Sequence, residues 1–235
     1  MSHNQLEIDG IVINIIRKPI KNIHLRIYPP HGEVRVSVPL RFSMALIHRQ
    51  LEAKSAWIHA QRARLTQNPP QPSPRFESGE HHYFLGKSFA FVIHENSQQA
   101  KIVIDDRFIH CFTKADSTVT IREVLLKSWY REQMKAVLPQ LLQKWEPIIG
   151  VNVNSWGIKL MKTRWGSCNV RAQRIWLNLN LIKKPLVCLE YVLVHEMVHL
   201  LEASHNKRFH ALMTRFMPQW RDYQKQLENP MVSSS

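Results

Sequence analysis

His195-Glu196-Met197-Val198-His199 brings two imidazoles and a carboxylate together within five residues, and on a helix that spacing has a specific chemistry. At about 100° per residue, His199 falls about 40° round the axis from His195 and one turn along, so both rings can reach one cation. Glu196, at about 100°, lies in the same sector. It can face a water on that cation without being a ligand, which is the arrangement of a zinc hydrolase: the metal polarises and the carboxylate takes the proton. Between Leu186 and Glu202 the only charged or imidazole residues are Glu190, His195, Glu196, His199 and Glu202, set among Leu189, Val192, Leu193, Val194, Met197, Val198, Leu200 and Leu201. A helix apolar on almost every side is a buried helix. Two histidines and a glutamate inside it are costly unless paired or coordinated, and a zinc ion removes that cost.

Catalytic zinc usually has three protein ligands and one open position, so a third donor is needed. The candidates are Glu202, His205 and His210. Glu202 is two turns from His195 and reads better as a hydrogen-bonding partner behind the ligands. His205 follows Ala203-Ser204, where the chain can turn back and present a ring, and is the expected third ligand. The spacing from His195 to His205 equals that of the metzincin motif, but Glu202 stands where metzincins have the glycine of the turn. Cys188, seven residues before His195, is too far along the axis for a fourth ligand and reads as a small buried side chain.

A site of this kind needs a scaffold, and the pattern is α+β. From Leu6 to Val38 three alternating segments, Ile11-Ile13-Ile15, Ile23-Leu25-Ile27 and Val34-Val36-Val38, read as an antiparallel meander. Ser43 is a plausible N-cap for one helix running to about Leu65, with Leu46, Ile47, Leu51, Trp57 and Ile58 at helical spacing. Residues 68–78 hold prolines at 69, 70, 72 and 74 and read as a linker. A β segment over 79–116 follows, with strands at Tyr83–Leu85, Ser88–His94, Lys101–Ile104 and Arg107–Phe112. The last region, 117–230, carries the motif. It reads as a helix from Thr118 to Trp145, kinked at Pro139 and ended by Pro147, then strands including Trp156–Lys162 and Arg174–Asn178. Helices at Leu186–Glu202, Lys207–Phe216 and Gln219–Leu227 complete it. The expected domains are therefore 1–67, the linker, 79–116 and 117–230, with no internal repeat of 20 to 50 residues.

Composition narrows the setting. Three cysteines, Cys111, Cys168 and Cys188, lack the close pairing of a zinc ribbon or redox motif. With no basic, apolar leader at Met1–Gly10 and no run of roughly 20 apolar residues, a cytoplasmic protein without membrane contact is expected. The formal charge of +14 suits contact with polyanions or nucleic acid, although the basic residues are spread along the chain and also serve solubility.

Thr163-Arg164-Trp165-Gly166-Ser167-Cys168, Ile175-Trp176-Leu177-Asn178, Pro185, the stretch Tyr191 to Leu200, His205, Phe209 and Pro218 together resemble the YgjP-like metallopeptidases, relatives of the SprT and WLM zincins. The resemblance is tight from about Lys159 to Pro218. It implies a β-rich N-terminal region followed by a gluzincin-like α+β core, in which the motif helix packs on a small antiparallel sheet. It also implies zinc, or another divalent cation, on His195, His199 and His205, with Asn178 bordering the cleft. Members usually read Asn-His-Ser at the third ligand, where this chain has Ser204-His205-Asn206. Arg164, Trp165 and Asn178 are the candidate substrate contacts, Arg164 at the rim where it could meet an anionic group or a developing oxyanion. Trp165 and Cys168 also read as core residues and Gly166 as a backbone necessity.

Three functions fit. The first is a peptidase with Glu196 as general base. The second keeps the centre but takes a nucleoside triphosphate such as UTP and releases pyrophosphate, an activity attached to some YgjP-type proteins; no glycine-rich phosphate loop supports it. The third is a nucleic-acid-associated module with structural zinc, which would normally need four ligands, usually cysteines.

Overall fold

Two hairpins with the same turn chemistry open the two sheets that dominate the chain. The computed structural model describes residues 5–28, 31–67 and 74–229, and the chain divides into two compact units, 1–73 and 74–235. Most of the proline-rich stretch expected as a linker, 68–73, lies outside the described residues, as do the Pro29-Pro30 turn and the tail from Pro230.

In the first unit β1 (Gln5–Ile8) and β2 (Ile11–Lys18) are joined by Asp9-Gly10, both at positive φ (48° and 74°), the geometry of a tight hairpin that matches strand twist. With β3 (His24–Tyr28) and β4 (Glu33–Pro39) they form a sheet of order β1-β2-β4-β3. The expected antiparallel meander is corrected here, because β2 pairs with β4 in parallel. Val34, Val36 and Val38 of β4 are at most 1% exposed, whereas Leu25 and Ile27 of β3 are only partly buried. The most apolar strands take the central positions, and β3 is left to the edge.

Helices α1 (Met44–Glu52) and α2 (Ser55–Gln67) cover one face of this sheet, packing Ile47, Leu51 and Ile58 on its isoleucines and valines. Ser43 caps α1 through Leu46 N–H as the sequence suggests. The single helix expected to Leu65 is instead broken at 53–54, where Ala53 N–H is shared between Arg49 and Leu51 carbonyls in a tightened last turn. Trp57, placed at helical spacing with these residues, is 49% exposed.

The second unit repeats the topology. Strands β5 (His81–Phe84), β6 (Lys87–His94), β7 (Lys101–Ile104) and β8 (Phe108–Phe112) have the order β5-β6-β8-β7, again with a parallel central pair. The β5–β6 turn, Leu85-Gly86, is again at positive φ for both residues. Leu85 accepts that uncommon conformation in a turn that is pinned: its N–H bonds to Ile182 O (2.8 Å) and that of Gly86 to Lys183 O (3.1 Å). A Cβ on Gly86 would come within 2.8 Å of Pro185. The first hairpin of this unit is thereby locked against the segment that launches the motif helix.

Helix α3 (Val119–Ile149) is capped by Thr118 and buries Leu126, Tyr130, Met134, Leu138, Leu142, Trp145 and Ile149, while Val124 is exposed. Pro147 does not end it. The helix stops at Gly150, in the left-handed conformation with its N–H on Glu146 O, because burial of Ile149 beyond the proline holds the last turn in place.

Strands β9 (Ser155–Lys159), β10 (Gly166–Asn169) and β11 (Arg174–Asn178) form a sheet of order β10-β11-β9. It is mixed rather than antiparallel as expected, since β9 pairs with β11 in parallel. Ile175 and Leu177 are fully buried, and the strand that carries them is central. A 3-10 turn at Leu179–Lys183 leads into α4 (Leu186–Val198), then α5 (Lys207–Phe216) and α6 (Trp220–Glu228). One hydrophobic core joins β5–β8, α3, β11 and α4–α6, so the segment expected at 79–116 shares its interior with the region that carries the motif. No helix among the described residues is long and apolar enough to cross a membrane.

Candidate metal centre

Helix α4 is the buried helix that its composition demands: Leu189, Val192, Leu193, Val194, Met197 and Val198 are all inside. His195 and His199 are half-buried on its one polar side. The helix ends four residues earlier than its periodicity suggests, with His199 as the C-cap. Leu200 and Leu201 then donate to Met197 and Val198 carbonyls in tight turns, and the chain reverses. The Glu202 carboxylate accepts from Ser204 N–H (3.3 Å) and Ser204 Oγ–H (3.0 Å), and Asn206 caps α5 through Phe209 N–H. Between those two fastenings His205 is carried back towards α4.

The result is three imidazoles on one point. Nε2 of His205 lies 3.0 Å from Nε2 of His195, and one ring nitrogen from each of His195, His199 and His205 lies within 4.8 Å of the others. Two nitrogens each about 2.0–2.1 Å from a tetrahedral zinc are roughly 3.3 Å apart, so the set has the right span. Nδ1 of His199 is 3.1 Å from the Glu202 carbonyl; donating its proton there leaves the lone pair on Nε2, the backbone orientation typical of ligating histidines. Burial, reinforced by the neighbouring His199, His205 and His210 rings, holds His195 down to about 3. A neutral ring with an available lone pair is the form a metal requires. These residues fit a divalent cation.

Phe209 is the platform beneath them. It is 1% exposed, and its ring centre lies 4.9, 4.6 and 4.8 Å from those of His195, His199 and His205. Sequence reasoning gave it no role of its own; it is brought under the rings by α5, which Asn206 caps immediately after His205.

Glu196 points into the same site and is 6% exposed. Burial pushes its carboxyl up to about 8, with the Arg164 guanidinium pulling the other way. Its position depends on the absence of a side chain at Gly166: a Cβ there would lie 2.5 Å from Glu196 Oε1 and 2.8 Å from Cγ. The glycine is required for room, not for an unusual φ. Gly166→Ala is therefore expected to displace the carboxylate and cut turnover at least ~10-fold while zinc content stays unchanged; unaltered turnover would show that the carboxylate tolerates the shift.

A cleft of about 530 Å³ opens beside these groups, between 163–168, the polar side of α4, and Gln224, Leu227 and Glu228 of α6. Arg164 and Trp165 line it. Asn178 does not, and its expected contact with substrate is corrected: it is 4% exposed, with Nδ2 donating to Met161 O (2.9 Å) and Arg164 O (2.7 Å) and Oδ1 accepting from Asn180 N–H. It shapes the loop that carries Arg164. Glu202 meets His199 through its backbone carbonyl, while its carboxylate builds the turn. His210 stacks on Trp220 at 5.6 Å and stands outside the triad. Cys168 lines the cleft as a thiol pushed up to about 11, mainly by burial, and Cys188 is buried in the core.

Among known proteins, the family model described as YgjP-like, metallopeptidase domain matches residues 21–230. No curated protein matches the chain. A solved structure, the metallopeptidase zymogen of Pyrococcus abyssi abylysin, is similar at 18% identity and a TM-score of 0.36, covering 39% of this chain and 91% of that one. The family match takes in the histidine cluster and, of the N-terminal sheet, β3 and β4, and the chain belongs to the YgjP-like metallopeptidase family.

Proposed function

We propose that this chain is a zinc-dependent peptidase in which His195, His199 and His205 hold the ion and Glu196 is the general base. The observation that carries the peptide substrate is the free edge of β10 beside Glu196. Among the described residues β10 pairs only with β11. Asn178 N–H bonds to Trp165 O at 2.8 Å, so by alternation the backbone groups of Gly166 and Cys168 point to the unpaired side. An extended polypeptide can add to such an edge as a further strand, and there it would run past the Glu196 carboxylate.

When bound, zinc supplies a Lewis acid that polarises a carbonyl and lowers the pKa of water towards neutrality. Glu196 takes the proton of the attacking water on a carboxylate oxygen and passes it to the leaving amide nitrogen. Burial and the close fit against Gly166 keep that carboxylate oriented and short of competing water. Arg164, at the rim and close enough to act electrostatically on Glu196, offers a guanidinium to the charge that develops on the carbonyl oxygen.

A nucleoside triphosphate fits this cleft less well. Beyond the ion itself, the one basic side chain lining the cleft is Arg164, and Glu228 also lines it, which offers little to several phosphates. A structural zinc would need a fourth protein ligand, and among the described residues only three donors converge. The zinc-loaded protein should release new amino termini from an unfolded polypeptide and no pyrophosphate from UTP. Pyrophosphate release without peptide cleavage would replace this reading with the nucleotide one.

A further inference from the structure

In the N-terminal unit both helices lie on one face of the four-stranded sheet, and among the described residues of the unit no element covers the other face. Alternation along the strands determines what it shows: Val12, Asn14, Ile16 and Lys18 from β2, Glu33, Arg35 and Ser37 from β4, and His24, Arg26 and Tyr28 from β3. A shallow cavity of about 360 Å³ on this face is walled by Lys18, His24, Arg26, Tyr28 and Arg35. Arg26 is directly opposite Arg35 in the β3–β4 register. Like charges facing each other across an antiparallel pair are destabilising. Only Arg35 has a carboxylate partner, Glu33 at 2.7 Å; Lys18 and Arg26 make no ion pair among the described residues. Arg35 also lies over the Tyr28 ring, 4.9 Å from its centre. Val12 and Ile16, apolar and 53% and 39% exposed, continue the same surface.

We infer that this open face binds single-stranded nucleic acid. A row of cations with an aromatic ring and exposed apolar side chains between them is the combination that holds phosphates while giving bases a surface to stack on. Cations alone would suit any polyanion; Tyr28, Val12 and Ile16 favour a chain with bases over a phosphate surface. Side chains on one face of β3 recur roughly every 6.7 Å, so His24, Arg26 and Tyr28 can engage successive nucleotides. Nothing in this binding passes through the histidine cluster, and it stands or falls apart from the peptidase reading.

The test is fluorescence anisotropy of the full chain with a labelled oligothymidylate of twenty nucleotides, across a salt series. Because residues 1–73 hold ten Lys and Arg against four Asp and Glu, the control must remove the same charge elsewhere. Lys18→Ala/Arg26→Ala/Arg35→Ala is compared with Arg49→Ala/Lys54→Ala/Arg64→Ala on the exposed helical side. The sheet-face variant should bind at least ~10-fold more weakly, with its salt slope reduced by about 2, since each phosphate contact on a single strand contributes roughly 0.7. The helix-side variant should lose little. Tyr28→Leu, which leaves the charge intact, should weaken binding ~10-fold without changing the slope. Arg26→Ala alone relieves the facing charges and should melt no lower than wild type. Equal losses in the two triple variants, wild-type binding by Tyr28→Leu, or binding to phosphatidylglycerol vesicles in place of the oligonucleotide would overturn the inference.

Discussion

Glu196→Gln should lower peptide hydrolysis by about 10²–10⁴-fold, the usual contribution of a positioned acid–base group, with zinc content at the wild-type level. The amide is isosteric, so it retains the fit against Gly166, where no Cβ could be accommodated. It cannot accept the proton. The buried carboxyl is raised to about 8 by its surroundings, so exchanging it for a neutral amide should not lower the melting temperature. Loss of activity therefore cannot be ascribed to unfolding or to an empty metal site. Full activity in a zinc-loaded Glu196→Gln protein would remove the carboxylate from the chemistry.

Phe209→Ala should be the most damaging single change to the centre outside its ligands. Truncating a fully buried phenylalanine typically costs about 3–5 kcal/mol. In a unit of this size that amounts to a fall of roughly 6–20 °C in melting temperature. The loss should also reach the metal, because the ring packs against all three imidazoles at under 5 Å between centres. Zinc stabilises a protein in proportion to the logarithm of its concentration over Kd, so melting curves with and without a chelator measure both effects. The zinc-dependent gain should be smaller in Phe209→Ala than in wild type, and Phe209→Leu should recover most of the core stability without all of the metal affinity. A wild-type zinc increment in Phe209→Ala would reduce the ring to ordinary packing.

The parts of this centre that are legible in the sequence are those set by local periodicity. The i, i+4 histidines, the apolar sides of α4 and the cap residue Ser43 follow from helix geometry, and α5 begins and ends at the residues expected. What is not legible depends on neighbours distant in sequence. Alternation in β2, β3 and β4 says which face each side chain takes but not which strand lies beside which, hence the parallel β2–β4 pair. The same holds for β9 and β11. Gly166 and Asn178 could be flagged by type but not explained. The need for glycine appears only when the Glu196 side chain is in place, and the role of Asn178 only when the 161–164 loop has folded over it. The early end of α4 is a local exception, hidden because the apolar periodicity runs on through Leu200 and Leu201: the turn built by Glu202 and Ser204 returns His205 to the other two rings.

That convergence is best tested by metal analysis of the purified wild type beside His205→Ala, each dialysed against metal-free buffer after zinc loading. His205 is exposed, so its replacement should leave the fold intact by circular dichroism. Wild type should retain about one zinc per chain and His205→Ala far less. A His205→Ala protein that keeps its zinc in full, or a folded wild type that holds none, would contradict a centre built on these three imidazoles.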